Sequence, residues 1–168
     1  MKAANIILVA MMMALMTSCS TTGIRTVSDY CEEAEFSDLK SYDWQPDDRA
    51  SSEEELVLSR VRRKIDEEMK IKGYAKMSDS PDFLISVQLH RIREINNWRY
   101  GRSKQGRDYS YVYEQGRLVL DFLDAETNEP IWRASATGLL IDSPDPQARD
   151  RDAGEAVRGM LEKFPPPR

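Results

Sequence analysis

The sequence predicts an α+β fold, a two-layer sandwich of a mainly antiparallel sheet packed on two helices. Three observations predict it. Residues 83–90, 116–124 and 130–141 alternate in character with period two, as strands do when one face is buried. Residues 52–72 and 146–163 instead place apolar side chains at helical spacing. Each kind of element then has one apolar face, which the other layer must cover.

Taken in order, RTVSDYC at 25–31 gives a weak strand signal through Val27 and Tyr30, and Cys31 beside it is expected to be quietly buried. In EFSDLKSYDWQP, Tyr42 and Trp44 alternate with Ser41 and Asp43, and Pro46-Asp47-Asp48 ends the strand. From Ser52 the period changes. Leu58, Val61, Ile65 and Met69 fall on one helical face, ringed by Arg62, Arg63, Lys64, Asp66, Glu67 and Lys70. Ser52 and Glu55 have capping-box spacing, Glu53 to Glu55 suit the positive helix end, and Gly73 supplies the stop.

Phe83, Ile85, Val87 and Leu89 share one face of the next strand, with Ser86, Gln88 and His90 on the other. The segments 116–124 and 130–141 form an antiparallel hairpin, because Ala125 to Glu129 is too short for a crossover helix. Small Ala134, Ala136 and Gly138 leave room for a helix to approach. In the final helix, Ala153, Ala156, Val157, Met160, Leu161 and Phe164 make a narrow apolar stripe. Asp145 caps its start, Pro146 opens its first turn and Pro165 to Pro167 stop it.

Ahead of this domain stands MKAANIILVAMMMALMTSC, one Lys followed by an apolar run from Ile6 to Met16 and then Thr17, Ser18 and Cys19. That run of 11 residues is too short to span about 30 Å of hydrocarbon as a helix. The segment resembles a bacterial lipoprotein signal peptide closing on Met16-Thr17-Ser18-Cys19, with Met16 where Leu is usual. The resemblance implies removal of residues 1–18 and acylation of Cys19, by diacylglyceryl and amide-linked chains such as palmitate. Two or three chains anchor stably where one is marginal. Residues 19–25 become a lipidated tether and 26–168 a single domain, whose size suits one core. Ser20, in place of the Asp associated with inner-membrane retention, favours the outer membrane on its periplasmic side.

The net charge of -5 argues against bulk attraction to nucleic acid. With Cys19 acylated, Cys31 alone keeps a thiol and no intrachain disulfide forms.

DYC…EFSDLKSYDW at 29–44, KGY at 72–74, SPDFLISV at 80–87, GRLVLDFLDAETNEPIWRASATG at 116–138 and EAVRGMLEKFPP at 155–166 together resemble the DUF4136 family of bacterial envelope lipoproteins. The resemblance covers nearly all the mature chain. It implies a compact α+β domain behind a lipidated cysteine, with no agreed activity or catalytic set.

Little in the chain suggests chemistry. His90 is the sole histidine, and Ser86, four strand residues away on the same face, stands roughly 13 Å from it, far beyond proton-transfer reach. Asp121, Asp124 and Glu126 lack the spacing of an ion-binding loop. No glycine-rich phosphate loop or CxxC pair occurs, so neither cofactor nor metal is expected and the protein is expected not to be an enzyme. More informative is RIREINNWRYGRSKQGRDYSYVY at 91–113, whose first 18 residues hold six basic and two acidic side chains. Trp98, Arg99, Tyr100, Arg102, Arg107, Tyr109 and Tyr111 make a candidate surface for an envelope protein or cell-wall component, through stacking, cation–π and bidentate contacts. The plainer alternative is a strand through Tyr109, Tyr111 and Tyr113 with a solvated hairpin loop before it. Two other functions compete: a carrier or sensor of a small amphiphilic ligand between sheet and helices, near Ala134, Ala136 and Gly138, and a hydrolase using Asp121 or His90.

Overall fold

The structure is a computed structural model that describes residues 23–46, 52–97, 110–139 and 145–167. Residues 1–18, Cys19 and the tether up to Thr22 lie outside the described residues, as do Trp98, Arg99, Tyr100, Arg102, Arg107 and Tyr109 of the candidate surface.

The described chain is α+β. Strands β1 (Arg25–Tyr30) and β2 (Ser41–Trp44) precede helix α1 (Ser52–Ile71). After it come β3 (Ala75–Lys76), β4 (Phe83–Asn97), β5 (Ser110–Asp124), β6 (Pro130–Leu139) and helix α2 (Pro146–Leu161). The six strands form one mixed sheet in the order β1-β6-β5-β4-β2-β3. Between β1 and β4 every pairing is antiparallel, whereas β2 runs parallel to both β4 and β3. The parallel part follows from connectivity: α1 carries the chain back from the end of β2 so that β3 starts beside it, as a parallel neighbour requires. The two-residue β3 lies in what the sequence presents as a polar connection.

Both helices bury their apolar stripes against one sheet face. Leu58, Val61, Ile65 and Met69 of α1, with Ala156, Val157, Met160 and Leu161 of α2, meet Phe83, Ile85, Val87, Leu120, Phe122, Trp132, Ala134 and Ala136 from the strands. Phe164, just beyond α2, fills the centre of an aromatic cluster, 4.5 Å from the Phe122 ring, 5.2 Å from Trp132 and 5.4 Å from Tyr74. Lys72 holds this end of the chain from the other helix, its Nζ donating to the Phe164 carbonyl at 2.8 Å.

The boundaries rest on local chemistry. Asp145 caps α2, Oδ1 accepting from Gln147 N at 2.9 Å and Oδ2 from Ala148 N at 3.2 Å, with Pro146 in the first turn. Gly73 ends α1 at φ 90°, a conformation open to glycine without a Cβ clash. Asp124 shapes the β5–β6 turn, where Oδ1 accepts from Glu126 N, Thr127 N and Thr127 Oγ1.

The structure corrects two expectations. Cys31 is exposed, not buried. It follows the last residue of an edge strand, and its Sγ donates to Glu33 Oε2 at 3.1 Å in the exposed turn beyond. The second correction concerns length: β4 runs on to Asn97 and β5 begins at Ser110, so both strands continue well past the limits of 90 and 116 that alternation suggests.

Candidate functional site

The sheet face away from the helices has a composition fixed by register. Asp29, Arg133, Asp121 and Ser86 lie side by side at one level, and Val27, Ser135, Val119 and Gln88 at the next. A third level holds Arg25, Thr137, Arg117 and His90. Asp121 does point away from Leu120 and Phe122, but it is 7% exposed, because Arg133 lies across it. The guanidinium binds both carboxylate oxygens, Nε to Oδ1 at 2.5 Å and Nη2 to Oδ2 at 3.1 Å. That pair raises the Arg133 pKa further above its usual value, chiefly through the hydrogen bond to Asp121. A carboxylate held by a permanent cation is a poor general base.

The other well-placed carboxylates are also engaged. Asp82 accepts through Oδ2 from Lys40 N at 2.8 Å, Ser41 N at 2.7 Å and Ser41 Oγ at 2.8 Å, tying the entry of β2 to the entry of β4. Hydrogen bonds from the Lys40 backbone and then Ser41 hold its pKa below the ordinary carboxylate value. Asp124 is lowered as well, first by the Thr127 backbone bond. On α2, Asp150 pairs with Arg63 and Lys64 of α1, and its pKa is lowered chiefly by Lys64. Glu155 differs, since its Oε2 is buried with no hydrogen-bond partner among the described residues. Among the described residues no three His, Cys, Asp or Glu side chains gather into a group able to hold a metal ion.

Sequence patterning misses one cluster that α1 assembles. Asp66 Oδ1 accepts from Tyr42 Oη at 2.8 Å and Trp44 Nε1 at 3.0 Å, while Lys76 Nζ reaches Oδ2 at 3.3 Å. Arg62 and Lys76 each stand 5.9 Å from the Trp44 ring centre, within cation–π range. Burial, followed by the Asp66 hydrogen bond, raises the Tyr42 pKa far above its usual value, so the hydroxyl stays a donor at any ordinary pH. A helical wheel shows Asp66 as a polar residue beside the apolar stripe. Its partners come from a strand that packing alone brings near.

The described parts of the candidate surface, 91–97 and 110–113, belong to a two-stranded arm. Pairing continues without interruption from His90↔Arg117 to Asn97↔Ser110, and Tyr111 lies opposite Asn96 within it. Among the described residues neither β6 nor β1 follows that far: β6 is described to Leu139, opposite Gln115, and β1 begins at Arg25. The arm therefore outruns β1 from the level of Arg25, Arg117 and His90, and β6 from the level of Gln115 and Ile92. The chain enters β1 at the same end: a methyl group on Gly138 would lie 3.3 Å from Ile24 Cγ1 and 3.7 Å from the Gly23 carbonyl oxygen. Ala134 and Ala136, suggested as the lining of a ligand space, are buried in the core under the helices.

The fold defines a class before it defines a family: an α+β domain with a mixed sheet, two helices on one face and a hairpin arm at one end. The chain belongs to the family described as "Domain of unknown function (DUF4136)", whose model matches residues 26–166. Comparison with curated protein sequences finds no match. Among solved structures, the chain is similar to a PDZ domain protein from Parabacteroides distasonis, at 16% identity and a TM-score of 0.57. That match covers 90% of this chain and 38% of the other, so this chain spans well under half of that protein. A minor lipoprotein from Acinetobacter baumannii matches at 9% identity and a TM-score of 0.45, over 74% of this chain and 91% of its own. A PelC dodecamer structure from Paraburkholderia phytofirmans matches at 11% and 0.42, over 82% and 94%. The first likeness concerns the fold alone. No helix among the described residues is long and apolar enough to cross a membrane.

Proposed function

We infer that the protein is a non-enzymatic envelope lipoprotein, exported, cut before Cys19 and held by lipid, on the periplasmic side of the outer membrane. Its domain, residues 26–168, is a two-layer sandwich that presents the 91–113 hairpin to a component of the envelope. The observation that carries this reading is the leader closing on Cys19 only six residues before Arg25, the first residue of β1. A tether of that length, at most about 3.6 Å per residue, keeps the domain against whatever holds the lipid. The engagement of Asp66, Asp82, Asp121, Asp124 and Asp150 in structural bonds is what supports a role in binding rather than turnover.

Intact-mass analysis of native protein extracted from membranes tests the anchor. The expected species lacks residues 1–18 and carries acyl mass on Cys19; a retained leader, or a free Cys19 thiol on protein that washes off membranes in buffer, overturns it. Photocrosslinking from positions 98 and 100 in intact cells tests the surface. A defined adduct that weakens on replacing Arg99, Arg102 and Arg107 is expected, and random neighbours unaffected by those changes would count against it.

A further inference from the structure

Resting on that lipidated reading, we propose that the envelope component met by the β4–β5 arm is the lipid surface itself: the domain stands with its arm end against the anionic headgroups of the membrane that holds Cys19. Three observations lead there.

The first is direction. Going from Arg25 toward the N-terminus means going toward the C-terminus of β6, the N-terminus of β5 and the C-terminus of β4, because each neighbouring pair in this part of the sheet is antiparallel. The arm and the tether thus leave from one end of the sheet. The second is reach. Past the level of Arg25, Arg117 and His90, the arm continues seven residue steps to Asn97, about 23 Å at strand spacing. From Arg25 to Cys19 the chain has six steps, at most about 22 Å when fully drawn out. A tether stretched along the arm therefore ends about level with the arm's end. With the sheet standing on this end, a membrane that holds Cys19 lies no farther out than Asn97, so the arm meets it.

The third is charge. At the base of the arm, Arg25, Arg91 and Arg117 are exposed, and the sequence joining the arm's strands, 98–109, holds four basic residues and one acidic. At the opposite end of these strands the connection 125–129 carries Glu126 and Glu129 and no basic residue, and the connection 31–40 carries Glu32, Glu33, Glu35 and Asp38 with Lys40. In a chain of net charge -5, the arm and the sequence joining its strands, 91–117, are net basic, with seven basic and three acidic residues. Anionic headgroups attract basic residues that come close to the surface.

The test uses the mature, lipidated protein in phosphatidylethanolamine–phosphatidylglycerol vesicles, its acylation verified by intact mass. Cys31→Ser removes the exposed thiol, and an environment-sensitive fluorophore is placed on Asn97→Cys, Val27→Cys or Glu126→Cys in separate samples. Spin-labelled headgroups are expected to quench the label at 97 several-fold more than those at 27 and 126. Stronger quenching at 27 shows that the domain lies on its β1 edge, and equal quenching at 97 and 126 shows no preferred end; either overturns the placement while leaving the anchor intact. A label at 97 shielded from lipid but crosslinked to a protein overturns it in favour of a protein partner. Absence of acyl mass on Cys19 overturns the anchor, and the placement with it.

Discussion

The hydroxyl of Tyr42 donates to the carboxylate of Asp66 at 2.8 Å, so a buried strand residue and a helix residue 24 positions later are bonded across the sheet–helix interface. Trp44 Nε1 shares the same oxygen. The parallel β2–β4 contact is short, three residue pairs, and this shared acceptor adds a polar link between β2 and α1.

Asp66→Ala is expected to cost about 1–3 kcal/mol, because it strands a buried hydroxyl and an indole N–H together. Tyr42→Phe should cost less, about 1 kcal/mol, since it removes the donor along with the bond. The double variant should be more stable than the two losses added would give. Urea unfolding of all three checks the coupling, and simple additivity would show that the bond contributes nothing.

Acid sensitivity should include a contribution from Asp82. Its folded pKa lies below the unfolded value, which is about 3.9 for Asp. The stabilisation is therefore complete above that unfolded value and is lost as pH falls through the lower folded one. Asp82→Asn should lower the melting temperature at pH 7 and show a shallower further loss below about pH 4 than the parent. Asp124 and Asp150, also lowered, keep the variant from becoming acid-insensitive. Melting curves from pH 7 to pH 2 measure the difference, and parallel profiles would remove Asp82 from the account.

Gly159 lets α2 approach β1. A Cβ there would lie 2.9 Å from Thr26 Cγ2, and a β-branched side chain has little rotamer freedom with which to retreat. Gly159→Ala should destabilise despite a helix-propensity gain of about 1 kcal/mol, because overpacking costs about 1–3 kcal/mol. Thr26→Ala, by removing the obstructing methyl group, should reverse the sign and make the double variant more stable than Thr26→Ala alone. Thermal melts of the four proteins settle it.

Phe164→Ala should be the most damaging of these changes, at about 3–5 kcal/mol, since the ring is 2% exposed and touches Phe122, Trp132, Tyr74, Phe83 and Phe36. Phe164→Leu should cost clearly less. Denaturant midpoints compare them, and equal losses would mean that ring geometry contributes beyond volume.

Cys31 is exposed and should react with a maleimide in the folded protein at a rate little changed by mild denaturant. Protection that disappears only on unfolding would restore the expectation of burial.

Much of this molecule is determined locally. The stripe Leu58, Val61, Ile65 and Met69 needs only helical periodicity to be read, Asp145 with Pro146 marks a helix start by its own bonding, and Phe83 to Leu89 alternates as any half-buried strand does. These signals lie within a few residues of one another, so the sequence alone determined both helices, most strands and the α+β class. Tertiary structure decided whatever depends on partners distant in the chain. That β2 pairs parallel to β4, that Arg133 lies over Asp121, that Tyr42 and Trp44 meet Asp66, and that β4 and β5 outrun their neighbours as an arm are matters of register and packing. The exposure of Cys31 has the same origin: residue type gives an average preference for burial, while exposure depends on whether another layer covers the position, and none covers the turn after this edge strand.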